Sequence, residues 1–73
     1  MPELPVLTSR KLVKALTTLG FVNIRQRGSH LVMKRGNLLI IVPMHKGDIP
    51  PGTLKSILRQ GSINLQDLIN ILK

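Results

Sequence analysis

Three features of this 73-residue sequence predict an α+β fold in which a three-stranded antiparallel sheet carries helices on one face. Apolar residues recur with helical spacing between Thr8 and Gly20, and from Phe21 onward the period changes to two. Two glycine-led pairs, Gly28-Ser29 and Gly36-Asn37, then cut the alternating stretch into strands. A short extra helix follows at the C-terminus. No repeat, linker or low-complexity segment interrupts the chain, so a single domain over 1-73 is expected.

The first helix is expected to begin at Thr8 or Ser9, either of which can cap it, and to stop at Gly20. Leu12, Ala15, Leu16 and Leu19 fall at i, i+3, i+4 and i+7 and form one apolar face. Arg10, Lys11 and Lys14 sit near the positive end of the helix dipole, which costs about 0.3–1 kcal/mol per cation. A solvated basic face is the ordinary explanation of such residues, and contact with phosphate is the functional one.

In a two-residue hairpin with glycine at the first turn position, Gly28-Ser29 sets Arg27 opposite His30, Arg25 opposite Val32 and Asn23 opposite Lys34. The alternate set pairs Gln26, Ile24 and Val22 with Leu31, Met33 and Arg35. The Gly36-Asn37 turn then brings Leu38, Ile40 and Val42 onto the Ile24/Met33 face. One face of the sheet is thus aliphatic and takes the helices. The other displays Arg25, Arg27, His30 and Lys34 beside an apolar island of Val32, Leu39 and Ile41. A slip of one residue would bury the arginines, which favours this register.

Pro43 to Pro50 reads as a loop carrying His45, Lys46 and Asp48. Pro51 suits the first position of a second helix, in which Leu54, Ile57 and Leu58 face inward, Lys55 and Arg59 face solvent, and Gly61 is the stop. Asn64, with Asp67 three residues on, marks the start of the last helix, whose stripe is Leu65, Leu68, Ile69 and Leu72. The order is α-β-β-β-α with that short extra helix. Double-stranded-RNA-binding domains share this order, with helices on one face of the sheet and the other face open.

Eleven Lys and Arg against three Asp and Glu give a formal charge of +8, which points to a polyanionic or acidic partner. Nucleic acid leads. A membrane-surface helix would carry Trp or Phe on its apolar face, and this chain has no Trp. Phe21 is its only aromatic residue, so base stacking on rings is excluded as the main means of recognition and phosphate contact is favoured. Without cysteine there is neither a disulfide framework nor a thiolate metal site. Met1 to Thr8 lacks an apolar run long enough for a signal peptide and no segment is apolar over membrane-spanning length, so a cytoplasmic protein is expected.

The acid–base inventory is short. Glu3, Asp48 and Asp67 stand apart in sequence, so no metal is expected, and a domain this small has no room for a deep cofactor cavity, so no cofactor is expected either. RNA supplies its own nucleophile, because the 2′-hydroxyl can attack the adjacent phosphate once a base removes its proton. His30 is the candidate base, since imidazole exchanges a proton near neutrality. Arg25, Arg27 and Lys34 are the candidate phosphate ligands around it, joined by Ser29 in the turn and by Lys55 and Arg59 on the second helix. His45 is either a solvated loop residue or the acid that protonates the leaving oxygen.

Leu16 to Phe21, the run Arg25-Gln-Arg-Gly-Ser-His30, Val42-Pro43-Met44-His45, and Gly52 to Gln60 together resemble the HicA toxin family, small ribonucleases of toxin-antitoxin systems. The resemblance spans nearly the whole chain, and the Gly-Ser-His triplet with the Pro-x-His and Gly-Thr-Leu blocks is its most specific part. It implies a double-stranded-RNA-binding-like fold, cleavage of mRNA independent of translation, catalysis by the residue at His30, and neutralisation by a HicB-type antitoxin. The tight Gly36-Asn37 turn departs from the longer loop of many relatives. The competing readings are a non-catalytic RNA-binding module and a basic adaptor for an acidic protein. The island of Val32, Leu39 and Ile41 is expected to meet the antitoxin, with a second copy of the chain or a C-terminal segment as the alternative cover.

Overall fold

Helix α1 occupies Ser9–Thr18 in the computed structural model, which describes residues 3–73. Thr8 is its cap, with Oγ1 accepting from Lys11 N at 3.3 Å. At the other end Gly20 N donates to Thr17 O and Phe21 N to Leu16 O, each at 3.0 Å, so the last carbonyls are satisfied as the chain turns Phe21 into the core. Arg35 closes the same end from the sheet. Its Nη1 donates to Leu19 O at 2.8 Å and its guanidinium lies 4.7 Å from the centre of the Phe21 ring. The cation is thereby committed to structure.

Strands β1 (Val22–Arg27), β2 (His30–Arg35) and β3 (Leu38–Pro43) form one antiparallel sheet in the order β1-β2-β3. Gly28 and Gly36, at φ 58° and 59°, take the first turn positions in the left-handed conformation that two-residue hairpins demand. The β2–β3 ladder runs as expected, from His30 opposite Pro43 to Arg35 opposite Leu38. Along β1 the expected pairs Arg27–His30, Gln26–Leu31 and Arg25–Val32 are present. Beyond them the expectation fails: a bulge falls between Asn23 and Arg25, so Asn23 faces Met33 and Val22 faces Lys34, in place of Asn23–Lys34, Ile24–Met33 and Val22–Arg35. The physical reason is burial. All six β1 residues are exposed, so no covered face enforces alternation there, and Ile24 stays half in solvent instead of joining the core.

The helices lie against the other two strands. α1 and α2 (Pro51–Gln60) pack on β3, and α3 (Leu65–Leu72) packs on α1. Leu31, Met33, Ile40 and Val42 from the sheet meet Leu12, Leu16, Leu54 and Ile57 from the helices in one buried cluster, with Leu68 of α3 completing it. Asn64 caps α3 by accepting from Gln66 N at 2.7 Å, while Leu65, Ile69 and Leu72 are only half buried. Gly61 ends α2, but not through its backbone angle, since its φ is −89°. Ser62 takes the left-handed turn at φ 50°, and Gly61 is small because a Cβ there would come within 2.9 Å of Ile63 Cδ1 and 3.1 Å of Phe21 Cζ. Among the described residues, no helix is long and apolar enough to cross a membrane.

Candidate functional site

The register arranges the uncovered face of the sheet in three cross-strand rows. Arg27, His30 and Pro43 form the first, Arg25, Val32 and Ile41 the second, and Val22, Lys34 and Leu39 the third. Charge therefore concentrates on β1 and β2, while β3 contributes only apolar groups to this face. Directly opposed residues bring their Cβ atoms to about 4.5–5.5 Å, which places the Arg27 guanidinium within reach of whatever the imidazole touches. Arg25, Arg27, His30, Val32 and Ile41 line a shallow depression of about 430 Å³. His30 is exposed within it.

Three hydrogen bonds hold the turn that presents His30. Gln26 Nε2 donates to Gly28 O at 3.0 Å, bracing the turn from β1. Met44 N donates to Ser29 O, extending the β2–β3 pairing past Pro43. Ser9, the one buried polar side chain among the described residues, donates its Oγ to Pro43 O and so fixes the main chain opposite His30 to the start of α1. Sequence reasoning missed Gln26, Met44 and Ser9 in these roles. All three act on main-chain carbonyls, and only the position of Gln26 two residues before a turn glycine could have signalled any of them.

The remaining candidates divide. Lys34 shares the open face but stands two rows from His30 and outside the depression. Ser29 is exposed in the turn, its carbonyl taken by Met44. Lys55 and Arg59 are exposed on α2, whose buried side packs against the covered face of the sheet, so they do not join the His30 group. His45 does not join it either. It lines a separate hollow with Arg10 and Lys46, and its Nδ1 lies 3.0 Å from Lys46 O, which assigns the proton to Nδ1 because a carbonyl only accepts. No group of three or more His, Asp or Glu side chains with metal-binding geometry forms among the described residues.

Fold and face together define a small basic α+β domain that presents an exposed histidine between arginines on an uncovered sheet. Residues 9–63 match the family described as HicA toxin of bacterial toxin-antitoxin systems. The match covers well over half the chain, and the chain belongs to that family. Helix α3 lies beyond the matched residues. No curated protein sequence matches the chain.

Proposed function

We propose that this toxin-family chain is an endoribonuclease that cleaves mRNA in the cytoplasm without a metal, with His30 as the catalytic residue. The imidazole of His30 takes the proton of a ribose 2′-hydroxyl, the 2′-oxygen bonds to the adjacent phosphorus, and the bond to the 5′-oxygen breaks. The 5′-oxygen leaves with a proton taken from solvent water, His30 later returns its proton to solvent, and the other product ends in a 2′,3′-cyclic phosphate. Arg27, opposite His30, and Arg25 in the next row bind the phosphate and offset the charge that grows on its oxygens. The observation that carries this reading is the grouping of Arg25, Arg27 and His30 around one depression. Lys34 and Ser29 bind the strand at its margins, and Lys55 and Arg59 contact only RNA long enough to wrap around the domain.

Purified protein incubated with a defined RNA in chelator should yield cyclic-phosphate ends. His30→Ala should cut at least about 10²-fold more slowly while keeping its fold and most of its RNA affinity, because the side chain is exposed and general-base help is worth about 10²–10⁴ in rate. Cleavage by His30→Ala at the parent rate, or an absolute need for metal, would leave a non-catalytic RNA-binding module as the better account.

The family places this chain beside an antitoxin partner, and we assign that HicB-type partner to the same face. Leu39 and Ile41 are 55% and 52% exposed, and Val22, brought round by the bulge, is 58% exposed in line with Leu39. Aliphatic surface of this kind on an open sheet calls for a covering chain. A partner seated there would hide His30 as well.

A further inference from the structure

We infer that the hollow lined by Arg10, His45 and Lys46 is a second phosphate-binding subsite, which receives the backbone of the same RNA strand beyond the point of cleavage. The inference rests on the reading of the open face as an RNA site. The hollow measures about 530 Å³, and no carboxylate is among the residues that line it. Its cations come from two separate parts of the chain, Arg10 from α1 and Lys46 from the loop after β3, brought to one place by the fold. Arginine offers a planar fork of donors to phosphate and lysine a mobile point charge. With Nδ1 of His45 bonded to Lys46 O, Nε2 is the nitrogen left to meet a ligand.

Position ties this hollow to the proposed site. Met44, on its lining, donates to Ser29 O beside His30, and Ser9, also on its lining, holds Pro43 O opposite His30. Pro43 and His45 are two residues apart, so at most about 7 Å of chain separates the end of the Arg27–His30–Pro43 row from the hollow. A strand that crosses Arg27 and His30 passes over the uncharged Pro43 and reaches Lys46 and Arg10 next. The inference rests on the side chains of Arg10, Lys46 and His45 and not on the N-terminal end of α1, where Thr8 accepts from Lys11 N. None of the large exposed aliphatic side chains lines the hollow, which favours a phosphate strand over a protein.

The test uses His30→Ala protein, so that RNA survives, with and without the pair Arg10→Ala and Lys46→Ala. Both residues are exposed, and the fold is checked by circular dichroism. Single strands of about 4 and about 12 nucleotides serve as probes, spanning the site sizes usual for sequence-tolerant binding. For the long probe, the pair should reduce the slope of log affinity against log salt by about 1.4, at roughly 0.7 per lost contact on single strands. For the short probe the slope should not change. In protein that retains His30, the pair should raise KM and leave kcat unaltered. An unchanged slope with the long probe overturns the inference, and so does an equal loss with the short one, which would mean a general field. Loss of an acidic protein partner with RNA affinity intact would likewise overturn it. If Arg25→Ala with Arg27→Ala also leaves every RNA affinity unaltered, the underlying RNA reading fails instead.

Discussion

The two outer strands of the sheet are built on opposite terms. β3 alternates buried Ile40 and Val42 with exposed Leu39 and Ile41, carries no charge, and rests on two helices. β1 is exposed at all six positions, carries Arg25 and Arg27, and is interrupted by a bulge. Charges and bulges are the usual guards of an unpaired edge, and here only β1 has them. The difference separates cohesion from chemistry. β3 holds the domain together and carries the aliphatic surface proposed above to meet the antitoxin, while β1, its turn and the first residue of β2 carry Arg25, Arg27 and His30 at little structural cost.

One substitution made on both edges tests that division most severely. Ile40→Ala should lower unfolding stability by about 2–5 kcal/mol, as for a fully enclosed aliphatic side chain, whereas Ile24→Ala on β1 should change it by no more than about 0.5 kcal/mol. Equal shifts in the denaturant midpoint would erase the distinction. Leu39→Lys should abolish the antitoxin complex on a sizing column and leave the melting curve nearly in place, because the side chain already faces solvent. A complex that survives this change would remove β3 from the partner interface. The gentlest effect is expected from Arg25→Ala with Arg27→Ala. The salt slope for RNA should fall by about 1.4, equally for all sequences, since phosphate contacts carry no base information. Stability there should hold to within about 0.5 kcal/mol. A base-dependent loss would show that β1 reads sequence.

The same division explains what could be read from the amino acids. The β2–β3 register was legible because Leu31 and Met33 are buried opposite Val42 and Ile40, and a glycine-led turn leaves one way to bring them together. The grouping of Arg25 and Arg27 with His30 was legible for the same reason, being close to the Gly28 turn. Past Arg25 no residue of β1 is buried, so the strand carries no burial signal and the bulge at Ile24 could not be foreseen. Arg35 was expected only as the partner of Val22, yet its neighbours are Leu19 and Phe21, which only the return of the sheet against α1 supplies. At the end of α2 the stop was legible and its cause was not. Sequence rules assign the left-handed angle to Gly61, whereas packing against Phe21 and Ile63 requires glycine there and passes the angle to Ser62.

The bond from Met44 N to Ser29 O also has a consequence in time. That amide hydrogen can exchange with solvent deuterium only when the loop after β3 and the His30 turn part from one another. Its exchange rate is therefore a clock for the hinge between the proposed cleavage face and the neighbouring basic hollow, readable from a single resonance. A strand of RNA that spans both should slow the clock, and a strand confined to either one should leave it running.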